Sequence, residues 1–159
     1  MRLDRAAVLL PAVAVLAVAA VAAALLSQHV GGMLPCAWCV LQRLIFLALG
    51  GAALLGAVWA TPAGRRVGAG LALLFALCGM AAALWQHFVA ANSASCVQTL
   101  ADRVVGFFEL DRSLPDVFAA YASCAESKVN LFGLPYEFYS LALFALLGLV
   151  CLRVLRRGG

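Results

Sequence analysis

Four long apolar stretches, at about 6–26, 38–60, 67–89 and 138–155, dominate the chain and leave little else to fold. A bilayer core about 30 Å thick takes roughly 20 apolar residues per helical span. Only helices or closed barrels satisfy every backbone polar group in lipid. No period-2 alternation marks a barrel. The expected fold is therefore an all-α membrane protein, a bundle of four transmembrane helices forming one domain over 1–159. With 66% hydrophobic and 11% charged residues, there is little soluble mass. Arg2 and Arg5 before the first stretch resemble the start of a secretory signal, but its apolar run exceeds the usual 7–15 residues. A retained first helix is expected.

The net charge of +4 does not indicate nucleic acid, because the basic residues sit in small clusters at span ends. Arg2 and Arg5, then Arg65 and Arg66 in the turn after span two, then Arg153, Arg156 and Arg157, fall on one side of a four-span bundle. The positive-inside rule makes that side cytoplasmic, with both termini. The short loop 27–37 and the long loop 90–137 then face outward. In the long loop, Leu100, Val104, Phe107 and Phe108 recur at helical spacing, as in a short amphipathic helix at the bilayer surface.

Four of the six cysteines lie on or near that outer side. Cys36 and Cys39 form a dithiol motif at the mouth of span two, and Cys96 and Cys124 bracket the long loop. Disulfides persist in oxidising compartments outside the cytosol. Pro35 suits a helix start, which places Cys36 where unpaired N–H groups and the helix dipole favour a thiolate. Zinc would need two more ligands, and Cys96 and Cys124 are not a close-spaced pair, so a metal-free redox centre is the preferred reading. The loop pair reads either as a brace on a 27-residue loop or as a partner in thiol–disulfide exchange.

Arg43 follows Cys39 by four residues and shares its helix face. A charge below the membrane surface is costly unless it snorkels or has a function. It suits a site that polarises a carbonyl or stabilises a thiolate, and a lipid-soluble quinone fits that description. Cys78 and Cys151 lie inside spans and read as packing residues. His29 and His87 lie near outer span ends, as interface residues or as lining of a cofactor pocket. Trp38, Trp85, Tyr136 and Tyr139 fit an outer aromatic belt.

These residues together resemble the disulfide bond formation protein B (DsbB) family. The match rests on Gln28-His29-Val30, Pro35-Cys36-Ala37-Trp38-Cys39, Arg43, Gln86-His87 before Cys96, Val117-Phe118 ahead of Cys124-Ala125-Glu126, and Leu131-Phe132-Gly133-Leu134. The resemblance implies a thiol:quinone oxidoreductase of the bacterial inner membrane. In it Cys96 and Cys124 would accept electrons from a periplasmic, thioredoxin-fold oxidase of the DsbA type. Cys96 would form the mixed disulfide with that partner. Cys36 and Cys39 would pass the electrons to quinone, with Cys39 nearest the quinone, Arg43 in contact with it and His87 close by. Gln42 stands where some relatives are acidic and receives no role. Vitamin K epoxide reductase-like enzymes place the loop pair before the membrane dithiol, the reverse of this order. A structural four-span protein with a braced loop is the other alternative; such proteins usually carry their cysteines in a large first loop, and here that loop is about ten residues long.

Overall fold

The computed structural model describes residues 5–92 and 99–157. Four helices cross it: α1 (Arg5–His29), α2 (Ala37–Val58), α3 (Pro62–Phe88) and α7 (Tyr136–Arg157). Each is long and apolar enough to span a membrane, so the chain is a multi-pass membrane protein. In the long loop lie α4 (Leu100–Phe107), two single-turn helices α5 (Leu110–Ser113) and α6 (Pro115–Phe118), and a two-stranded antiparallel hairpin. The hairpin pairs β1 (Asn130–Leu131) with β2 (Leu134–Pro135).

The spanning helices pack in the order α1–α2–α3–α7, and α7 also meets α1, which closes the ring. Small residues set the spacing, as helices in lipid require. A Cβ on Gly56 would stand 2.9 Å from Gly68 Cα, so α2 and α3 cross backbone to backbone there. Gly79 opens a slot on α3 for the ring of Phe144, which stacks on Phe46 with centroids 3.8 Å apart. Leu10, Val13, Leu49 and Leu147 fill the rest of the core, while Val15, Leu55, Leu74 and Leu149 remain exposed for lipid.

Helix starts follow local chemistry. Thr61 caps α3, its hydroxyl accepting from Gly64 N at 3.1 Å, and Pro62 takes the first helical position. Arg65 and Arg66 therefore lie in the first turns of α3, not in the connecting turn expected from sequence. Thr99 and Asp102 form a capping box for α4. Two of the packing and belt assignments change. Cys151 is buried in the core, but Cys78 is exposed on α3. Trp38 turns inward and is buried, tilted against Trp85 with centroids 6.2 Å apart; the N-terminal end of α2 is roofed by the loop, which removes that position from the bilayer surface.

Candidate functional site

The site forms where the start of α2 meets the long loop. Cys36 has extended backbone angles (φ −90°, ψ 170°) and occupies the N-cap position of α2. Tyr121 and Ala122 donate their backbone N–H groups to the Pro35 carbonyl, at 3.0 and 3.4 Å. This seats the loop on the residue before Cys36 and brings Cys124 to it. One turn into α2, Cys39 Sγ lies 3.2 Å from Cys36 Sγ, both as thiols. Three of the four expected sulfurs thus adjoin one another. Cys96 lies outside the described residues.

Electrostatics divide the sulfurs differently from the sequence-based expectation. Cys36 hydrogen-bonds Cys124 and is buried, and its thiol is pushed up to about 11. Cys124 is lowered from the ordinary thiol value, first by its hydrogen bond with Cys36 and also by the Trp38 backbone N–H. The N–H groups at the start of α2 thus act on both sulfurs, Trp38 N–H on Cys124 and Cys39 N–H on Cys36. Cys36, expected to be the thiolate, is instead the donor, because burial and a neighbouring sulfur outweigh its position at the helix end.

Beneath the sulfurs lies a cavity of about 280 Å³, lined by residues of all four spans and of the hairpin. Cys39, Arg43, Gln42, Gln86 and Ser140 supply polar groups to its wall, and Ala20, Val21, Phe46 and Leu143 supply apolar ones. Arg43 is 5% exposed, and its guanidinium donates to Gln28 Oε1 at 2.7 Å and to the Val117 carbonyl at 2.8 Å. Gln28 in turn donates to the Asp116 carbonyl at 3.3 Å. The arginine and glutamine thereby hold α6 onto α1 and α2. Arg43 Nε is buried without a partner among the described residues.

His87 does not line this cavity. Its Nδ1 lies 2.8 Å from Glu137 Oε1, beside a second space of about 220 Å³, and Glu137 lines both spaces. His29 is exposed at the end of α1.

Four polar contributors were not singled out for a role from the sequence: Gln42, Gln86, Glu137 and Ser140. Gln42 donates to Gln86 Oε1 at 2.7 Å, and Gln86 donates to Cys39 Sγ at 3.2 Å. The signal available was an amide inside an apolar span, which rarely faces lipid.

The family model for disulfide bond formation protein DsbB matches residues 5–154. Among curated relatives, the disulfide bond formation protein B of Stutzerimonas stutzeri (strain A1501) is 34% identical over 145 residues, covering 86% of this chain and 87% of its own. That of Polaromonas naphthalenivorans (strain CJ2) is 32% identical, covering 98% and 94%. That of Herminiimonas arsenicoxydans is 32% identical, covering 89% of each. The chain belongs to the DsbB family of disulfide bond formation proteins.

Proposed function

We propose that this member of the disulfide bond formation family is a thiol:quinone oxidoreductase that reoxidises a periplasmic, DsbA-like thiol oxidase. The observation that carries the reading is the line of sulfurs from Cys124 on the loop, through Cys36, to Cys39 at the wall of a membrane-level cavity. A brace needs no such line, and a relay does.

The proposed sequence begins at the Cys96–Cys124 disulfide, which takes two electrons from the reduced oxidase. Cys124, whose thiolate the Trp38 backbone N–H supports whether or not Cys36 is oxidised, attacks Cys36 of the Cys36–Cys39 disulfide, and Cys39 leaves as a thiolate facing the cavity. Cys96 then attacks Cys124, which restores the loop disulfide and frees Cys36. A quinone supplies an acceptor for two electrons and two protons. The cavity fits such a ring: its wall is mainly apolar, and Arg43, with an unsatisfied buried Nε, and the amide side chains can meet carbonyl oxygens. Arg43 would favour the negative charge that develops on those oxygens.

The arginine pattern supports an inner-membrane orientation with cytoplasmic termini. Arg65, Arg66, Arg153 and Arg156 stand at the end of the bundle opposite Cys36 and Cys124.

The test uses purified protein in detergent with a reduced DsbA-type oxidase and a soluble quinone, followed by quinone absorbance. Serine at Cys36, Cys39, Cys96 or Cys124 should each abolish quinone reduction driven by the oxidase. Turnover that survives Cys39→Ser overturns the reading.

A further inference from the structure

Three uncharged side chains from three helices form a single directed line of hydrogen bonds that ends on a sulfur. Ser140 Oγ of α7 lies 2.5 Å from Gln42 Oε1 of α2. Gln42 Nε2 donates to Gln86 Oε1 of α3 at 2.7 Å. Gln86 Nε2 donates to Cys39 Sγ at 3.2 Å. Each carboxamide has one acceptor oxygen and one donor nitrogen, so the two amides fix each other's sense; the Ser140 hydroxyl, which also lies 2.9 Å from the Glu137 carbonyl, closes the line at Gln42 Oε1. Turning Gln86 over would set its oxygen against the sulfur and its NH2 against the NH2 of Gln42. Both amides are nearly inaccessible from outside, at 5% and 6% exposure, so each takes its partners from the protein in the hydrogen bonds named here.

We propose that Gln86 is a catalytic residue that stabilises negative charge on Cys39, and that Gln42 and Ser140 are positioning residues that keep its NH2 aimed at the sulfur. The proposal rests on the reading of Cys36 and Cys39 as the couple that reduces quinone. In that step the two thiols lose two protons and two electrons, a sulfur–sulfur bond forms between Cys36 and Cys39, and the quinone becomes a quinol by taking both protons and both electrons. The electrons leave from the sulfur that lines the cavity, and this sulfur must carry negative charge as they do. A hydrogen bond to a charged sulfur is stronger than one to a neutral thiol, so the donor favours the reactive form.

Arg43 does not fill this role directly. Its Nη1 donates to Gln28 and Val117, and toward Cys39 it acts through its charge. The other titratable or charged groups around the sulfur are Cys36 and Arg43 on α2, Tyr136 and Glu137 on α7, His87 on α3 paired to Glu137, and Cys124 on the loop. Gln86 donates to the sulfur without adding a net charge to the bundle, so its effect does not depend on its own titration.

The experiment measures alkylation of Cys39 against pH in the reduced full-length protein, resolved by mass spectrometry of the Cys39 peptide, alongside quinone reduction. Gln86→Leu should move the alkylation midpoint up by about one pH unit, a tenfold loss of thiolate at fixed pH. Gln86→Glu has the same shape but sets a carboxylate oxygen against the sulfur, and should move the midpoint at least as far. Ser140→Ala should move it in the same direction by less, and it provides the test if the Gln86 variants do not fold. Quinone reduction should fall with the thiolate fraction. An unchanged midpoint in Gln86→Leu and Gln86→Glu, or in Ser140→Ala where those two do not fold, overturns the role of Gln86 even where Cys39 remains essential. Quinone reduction that survives Cys39→Ser overturns the underlying reading instead.

Discussion

Replacing Arg43 by alanine is expected to do two things, and only one of them is visible from its place beside the dithiol. From the sequence alone the substitution should impair quinone use and spare the loop. The structure gives the guanidinium a second attachment, because its Nη1 bridges Gln28 Oε1 at 2.7 Å and the Val117 carbonyl at 2.8 Å. A hydrogen bond from a charged donor contributes about 1.5–3 kcal/mol. Losing two of them, with both acceptors left buried, should weaken docking of the segment around α6 by about 3 kcal/mol, roughly a hundredfold in its opening equilibrium. That segment leads directly to Tyr121 and Ala122, which hold the loop to Pro35 and so place Cys124 against Cys36. Hydrogen–deuterium exchange of peptides over 115–124 should therefore accelerate by one to two orders of magnitude in Arg43→Ala, while peptides from the centre of α3 stay unchanged. Exchange between Cys124 and Cys36 should slow together with quinone reduction. Loop exchange rates equal to those of the parent protein would refute the argument that Arg43 fastens the loop, and would return the residue to a role at the cavity alone.

Three further outcomes follow from the same geometry. In the reduced protein Cys124 should remain alkylatable below the usual thiol range. Its folded-state value is depressed, so its contribution to loop docking is present above the unfolded thiol value and fades as pH falls through the folded one. Cys36→Ala removes the sulfur that donates to it and should shift the Cys124 profile upward; an unshifted profile in peptide-resolved alkylation would contradict this. Gly79→Ala sets a methyl group into the Phe144 ring and should cost about 1–3 kcal/mol, read as a lower unfolding temperature in detergent; unchanged unfolding would show that the slot can widen freely. His87 reaches the main cavity through Glu137, so the double variant His87→Ala/Glu137→Gln should be no worse in quinone reduction than Glu137→Gln alone. Additive losses would give His87 an independent contact with the substrate.

The spans and the cysteine motif were legible because each depends on neighbours in sequence: apolar length defines a span, and a two-residue spacer keeps Cys36 and Cys39 within a helical turn. Arg43 was legible because a cation in an apolar helix demands an explanation. What remained hidden depends on which helix lies beside which. Gln42 and Gln86 are 44 positions apart, and they meet only because α2 and α3 close on each other through their glycines. Ser140 joins them because α7 packs on α3. The same dependence explains the exchanged roles of Cys36 and Cys124. A helix start announces that an anion is favoured nearby, but it does not say which side chain the fold will bring there. The Pro35 carbonyl, free of helical duty, recruits the loop backbone, and the loop delivers Cys124 to the Trp38 N–H. The acidic sulfur is thus set by the Cys36 thiol and the Trp38 N–H of the dithiol motif acting on a loop residue that the Pro35 carbonyl holds in place, so the order of attack in the relay depends on how the loop is fastened as much as on the dithiol itself.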